Sequence, residues 1–161
     1  MDAEVEIRPV SGAEAVGIKR GRKYGDLVHA LPAQAEYPVD RAELEARAAA
    51  LEIGSTLSEL ERAAAVDVVA RCLDHPLLVE AGMVERVYRE FPVTCELGGE
   101  LYEGVIDLAW FDGVRWTVVD YKTGPGDEPR YRRQVALYGE ALRRATGAPV
   151  RLIVLEIGNP S

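Results

Sequence analysis

Cysteine is scarce in this chain. Only Cys72 and Cys95 occur among the 161 residues, far apart and outside any CxxC or Cys/His spacing, which argues against a zinc site, an iron–sulfur cluster or a disulfide framework. Two buried thiols in a reducing compartment are the expectation. Long apolar runs are lacking too, since no stretch approaches the roughly 20 residues that cross a bilayer, and the acidic start MDAEVEIRPV has no signal-like apolar core. A cytoplasmic protein with no membrane partner is expected. Repeats and low-complexity tracts are absent. Positive charge is in deficit, with 19 Lys and Arg against 27 Asp and Glu and a net charge of −8, and an acidic chain is at first sight a poor ligand for phosphates. The distribution of the basic residues is more favourable than their number. KRGRK at 19–23, ending in Lys23, carries no acid, and RYRR at 130–133, containing Arg130 and Arg133, is followed by Arg143 and Arg144. A solvated surface is the bland reading of such runs, and a bound divalent ion would change the local balance.

What is present is a core. Nearly half of the residues, 48%, are hydrophobic, enough for one domain over 1–161 with 1–20 peripheral. Tyr24, Leu27, Val28 and Leu31 recur at helical spacing and predict a helix over 22–31 with His29 on its flank. Asp40 reads as the N-cap of RAELEARAAAL and Gly54 as its stop. Ser58 and Glu61 have capping-box spacing, opening a helix with Leu60, Ala64, Val68 and Cys72 on its apolar side. A short helix from Pro76 to Gly82 follows. The period then changes to that of strands: MVERVYREFPV, ELYEGVIDLAWF and VRWTVVDYKTG, with Asp112 and Gly113 as the turn between the last two. PRYRRQVALYGEALRRATG reads as a helix closed by Gly147, and PVRLIVLEI as a final strand able to pair in parallel. The fold class is α/β: a mixed β-sheet with an antiparallel hairpin core, flanked by helices.

Two of these strands carry acids in apolar surroundings, Asp107 and Asp120, and Lys122 follows. Buried charge is costly unless paired or bound to metal. With a two-residue turn, Phe111 faces Val114, so Asp107 faces Val118 and Asp120 faces Val105. Asp107, Asp120 and Lys122 then emerge on one side of the sheet, the two acids on a diagonal with Cβ atoms roughly 7 Å apart. Glu103 comes opposite Lys122. Converging carboxylates repel unless one takes a proton or a cation lies between them, and oxygen ligands of this kind suit Mg²⁺ or Mn²⁺. A lysine beside them can orient a water or stabilise phosphate charge. An Asp/Lys salt bridge at a sheet edge is the alternative.

At these residues the sequence resembles the RecB-like nucleases of the PD-(D/E)XK superfamily, found at the C-terminus of helicase-nuclease subunits that process DNA ends. EGVIDLAW and WTVVDYKTG match its core, GDLVHAL at 25–31 matches a GxxVHxxL-like motif with His29, and Gln134 and Tyr138 match QxxxY. The motifs stand in the family's order and cover most of the chain. The resemblance implies that His29, Asp107 and Asp120 bind Mg²⁺ or Mn²⁺, as one or two ions, with the carbonyl of Tyr121 completing the coordination, and that Asp107, Asp120 and Lys122 are catalytic. An imidazole ligand tilts the choice toward Mn²⁺. Gln134 and Tyr138, one helical turn apart, reach the site or the DNA backbone, and Arg130, Arg133 and Lys23 contact phosphates without reading sequence. Glu90 lies where relatives often carry an acid. The four cysteines of the iron–sulfur branch are missing, which places the chain in the cluster-free branch. No GxxxxGK[ST] loop is present, so the implied helicase belongs to another region or a partner chain.

The activity expected is metal-dependent hydrolysis of DNA phosphodiesters in recombination and repair, exonucleolytic rather than endonucleolytic. A catalytically silent DNA-binding or scaffold module of the same fold is the rival. A restriction endonuclease or junction resolvase of the superfamily is a third reading, against which His29 and the QxxxY helix count.

Overall fold

A computed structural model describes residues 4–10, 22–34, 40–123 and 128–157. The chain divides into two compact units, one formed by the sheet with its helix and the other by the helices that precede the main strands.

The helical unit holds α1 (Arg22–Gln34), α2 (Arg41–Ala50), α3 (Glu52–Ser55), α4 (Glu59–Leu73) and α5 (Pro76–Ala81). The expected stripe of α1 is its core: Tyr24, Leu27, Val28 and Leu31 are all buried. The helix runs on past residue 31 and contains Pro32. Asp40 caps α2 by accepting from the N–H of Ala42 at 2.9 Å. That helix ends at Leu51 rather than at Gly54. Gly54 lies inside α3 because nothing larger fits there, a Cβ at this position falling 1.7 Å from the carbonyl oxygen of Ala48. Ser58 caps α4, accepting from the N–H of Glu61 at 3.2 Å, and its hydroxyl donates to the Glu61 carboxylate at 2.9 Å. The buried side of α4 is rotated from the expected one. Val68 and Cys72 are buried as predicted, but Ala65, Val69 and Leu73 join them while Leu60 is 73% exposed. Burial pushes the Cys72 thiol up to about 12, so it is an inert packing group. His75 caps α5 through Nδ1, which accepts from the N–H of Leu77 at 3.2 Å.

The sheet unit has five strands in the order β1-β5-β4-β3-β2: β1 (Val5–Val10), β2 (Val87–Leu97), β3 (Glu100–Phe111), β4 (Trp116–Thr123) and β5 (Val150–Ile157). The sheet is mixed and flanked by helices, as expected of the fold class. The strand at Val5–Val10 has no counterpart in the sequence reading: VEIRPV is half charged or proline, and it joins the sheet at its edge, where such residues are tolerated. Gly98 and Gly99, both with positive φ, turn β2 into β3. Helix α6 (Glu128–Thr146) is closed by Gly147 at φ 74°, whose N–H reaches the carbonyl of Arg143 at 2.8 Å. Helix α6 packs on β2 and β3, and Val135, Tyr138 and Leu142 form one core with Ile106, Ala109, Val118, Leu152 and Val154.

The hairpin departs from the expected register. Its connection is the four-residue segment 112–115, in which the N–H of Asp112 donates to the carbonyl of Arg115 at 3.2 Å and the Asp112 carboxylate accepts from the N–H groups of Val114 and Arg115. Phe111 therefore faces Trp116, and Leu108 faces Val119. The pairing has slipped by two residues. Asp112 is the cause, since its side chain holds a wider turn together than Asp-Gly alone would form. A second irregularity lies on the other flank of β3. Arg89 faces Leu108 and Phe91 faces Ile106, and between these pairs Glu90 takes φ 48°, beside Asp107. Ile106 and Ala109, three residues apart, both join the core under α6, so the alternation of faces breaks at this point.

Candidate active site

The two acids meet more closely than expected. The observed pairing ends at Leu108 and Val119, and the next residues of the two strands, Asp107 and Asp120, bring their carboxyl groups within hydrogen-bonding reach of each other. The Asp107 carboxylate accepts the main-chain N–H of Tyr121 at 2.9 Å, which anchors it on the backbone of β4. Asp120 is 3% exposed. Its Oδ2 lies 2.9 Å from Nζ of Lys122 as an ion pair, yet this buried oxygen accepts no aligned hydrogen bond. Burial is the largest influence on the Asp120 carboxyl and the neighbouring Asp107 the next, and against the attraction of Lys122 they push it up to about 7. Two carboxylates in contact, one of them buried and held toward its uncharged form by its burial and its neighbour, are a donor set of the kind that takes a divalent cation. The residues present thus fit Mg²⁺ or Mn²⁺. Among the described residues, no three His, Cys, Asp or Glu side chains gather into a metal cluster.

Helix α6 brings two side chains to the lysine and a third beside the carboxylates. Lys122 Nζ donates to Oε1 of Gln134 at 2.9 Å and lies 5.0 Å from the ring centre of Tyr131. Tyr138, one turn on from Gln134, is 6% exposed. Its phenol is pushed up to about 12 by burial and by the Asp120 and Asp107 carboxylates, while hydrogen bonds with the backbone of Val105 and the side chain of Gln134 oppose the shift. Gly104 gives this ring its room: a Cβ there would stand 2.5 Å from Cε1 of Tyr138 and 3.1 Å from its oxygen. Of the predicted residues, Asp107, Asp120, Lys122, Gln134 and Tyr138 therefore converge in the sheet unit.

The other predicted residues stand elsewhere. With the register moved by two, Glu103 no longer faces Lys122. It faces Thr94 of β2 and, with Val93, Cys95, Tyr102, Gln134 and Tyr138, lines a cleft of about 70 Å³ between α6 and the β2–β3 hairpin. Glu90 is exposed in its strained position, and Tyr121 is buried. His29 is half-buried on α1 in the helical unit. Lys23, Arg130 and Arg133 are exposed, and residues 19–21 of the first basic run lie outside the described residues. Arg143 and Arg144 both bind Glu140, whose carboxyl they hold down to about 2, so this end of the basic helix is partly neutralised. Sequence reasoning missed Tyr131 and Gly104. The glycine inside a strand was a readable signal of close approach, whereas Tyr131 needed the lysine's direction.

The geometry is that of a buried acid, Asp120, beside a half-buried one, Asp107, with an adjacent ammonium that has three neighbours. No curated protein matches the sequence. Over residues 6–161 the chain matches the family model of the PD-(D/E)XK nuclease superfamily, whose members are generally nucleases using divalent metals. With the match spanning nearly the whole sequence and the acids and lysine of its name gathered at one place, the chain belongs to the PD-(D/E)XK nuclease superfamily.

Proposed function

We propose that the protein is a divalent-metal-dependent deoxyribonuclease of the RecB-like branch, acting in the cytoplasm on DNA ends delivered by a helicase region of the same or a partner chain. The observation that carries the reading is the Asp107–Asp120 pair with Lys122 2.9 Å from Asp120. Asp107, Asp120 and the carbonyl of Tyr121 would hold Mg²⁺ or Mn²⁺, and His29 joins them on its motif alone. A divalent ion supplies positive charge to the scissile phosphate and acidity to water. Asp120, buried beside a second carboxylate, binds; Asp107, fixed by the Tyr121 N–H, orients. Lys122 presents a positive donor to a phosphate oxygen or to the attacking water. Lys23, Arg130 and Arg133 are placed on the backbone phosphates, which gives binding without sequence preference. Glu90 and Glu103 are held as further acidic groups of the same reading. Exonucleolytic action is the branch's implication.

The test is cleavage of linear single- and double-stranded DNA with Mg²⁺ or Mn²⁺, abolished by EDTA and by Asp107→Ala, Asp120→Ala or Lys122→Ala. Full activity in any of these variants overturns the assignment. Failure of the wild-type protein to bind Mn²⁺ at millimolar concentration in calorimetry would favour a silent DNA-binding module instead.

A further inference from the structure

Lys122 is a flexible chain of four methylenes, and an ammonium on such a stem does not hold one direction unless its donors are engaged. Here its nitrogen is held on three sides: by Asp120 Oδ2 at 2.9 Å, by Gln134 Oε1 at 2.9 Å and by the face of Tyr131 at 5.0 Å. Only oxygen of the Gln134 amide can accept from an ammonium, so the amide nitrogen is left to face the other way, and its remaining partner is Tyr138. The Tyr138 hydroxyl is itself tied to the backbone of Val105, next to Gly104, whose missing Cβ admits the ring. A chain of contacts thus runs from the backbone of β3 through Tyr138 and Gln134 to the lysine.

We propose that Gln134 and Tyr138 are positioning residues that aim the Lys122 ammonium, with Gly104 as the position that lets Tyr138 seat against β3. This rests on the nuclease reading of the site, because aim matters only if Lys122 acts on substrate. Gln134 is exposed, so its role is not the filling of a core. A nitrogen misplaced by about 1 Å can cost on the order of 100-fold in rate.

Steady-state cleavage of a DNA oligonucleotide in Mn²⁺ by the full chain tests it. Gln134→Met, which keeps length but removes the acceptor, should lower kcat by about 10- to 100-fold and leave KM, Mn²⁺ affinity and the urea midpoint unchanged. Gln134→Glu, which keeps an oxygen for the ammonium, should restore most of the loss. Tyr138→Phe should lower kcat less, and the pair Gln134→Met with Tyr138→Phe should be no slower than Gln134→Met alone, since both act through one lysine. Independent, multiplying losses would overturn the relay, as would a raised KM with intact kcat, which marks a DNA contact. A readout independent of activity is the ¹H–¹⁵N signal of the Lys122 ammonium, assigned by its absence in Lys122→Arg. It should be slowed in exchange in the wild type and lost in Gln134→Met. Persistence of that signal in Gln134→Met refutes the positioning role, whereas a wild type that shows the signal but cleaves no DNA refutes the nuclease reading and leaves the relay standing.

Discussion

Asp120→Asn should make the metal-free protein more stable at neutral and alkaline pH. Asp120 titrates near 7 in the folded chain against an ordinary value of 3.8, so between these values the folded state keeps a proton that the unfolded state has already released. Stability then falls as pH rises from about 4 to 7 and is flat above, because the unfolded chain carries its charge in water and the folded one must bury it. At 1.36 kcal/mol per pH unit, full ionisation costs about 4 kcal/mol. The attraction of Lys122 is already included in that value. Because Asp107 shares the titration, a single substitution can remove about 2–4 kcal/mol of this cost. In urea with EDTA at pH 8, where m is about 1–3 kcal/mol/M, the Asn variant should unfold roughly 1–2 M later than wild type. At pH 4.5 most of that advantage should vanish. Mn²⁺ should raise the wild-type midpoint more than the variant's, since the variant keeps Asp107 but has lost one of the two charged ligands. Equal gains at both pH values, or a variant less stable than wild type at pH 8, would refute the placement of a strained, ionised carboxylate at this position.

Other substitutions probe the frame around the acids. Asp107→Ala and Lys122→Ala should each lower Mn²⁺-dependent DNA cleavage by at least about 100-fold while far-ultraviolet circular dichroism stays native. Gly104→Ala, which places a methyl 2.5 Å from Cε1 of Tyr138, should cost about 1–3 kcal/mol in urea unfolding. Ser58→Ala removes both hydrogen bonds of the Ser58 hydroxyl with Glu61 at the start of α4 and should cost about 1 kcal/mol by the same measurement. Glu90→Asn, at φ 48°, should be neutral or stabilising by up to about 1 kcal/mol, because asparagine tolerates the left-handed region.

Most elements are legible because their signals are local. The stripe of α1, the caps at Asp40 and Ser58, the bounds of β3 and the glycine closing α6 depend on neighbours within a turn or two, and they stand where the pattern puts them. The misses have non-local causes. A charged strand such as VEIRPV has no apolar alternation to announce it, and only a sheet edge elsewhere in the chain gives it a place. Gly54 reads as a helix stop in isolation, yet what requires a glycine there is the carbonyl of Ala48, which stands where a Cβ would go. Leu60 fits the apolar period of α4, but at the first turn the cap, not the core, governs the side chain.

The site shows why some errors in such a reading are harmless and others would be fatal. The expected hairpin register is off by two, through the Asp112 side chain that widens the turn. Because side chains repeat every two residues along a strand, a slip of two exchanges neighbours but keeps each residue on its face. Asp120 and Lys122 stay together, Asp107 comes within hydrogen-bonding reach of Asp120, and only Glu103 loses its partner. A slip of one would turn Asp120 and Lys122 to the opposite face. The irregularity at Glu90 involves no slip, since the β2–β3 pairing keeps its register on both sides of it, but it falls opposite Asp107 itself. What keeps Asp107 in the site beside this irregularity is the N–H of Tyr121, which draws the carboxylate toward β4 whichever face the strand would have given it. The meeting of the two acids therefore depends on one main-chain hydrogen bond as much as on strand pairing, and no spacing in the sequence encodes that bond.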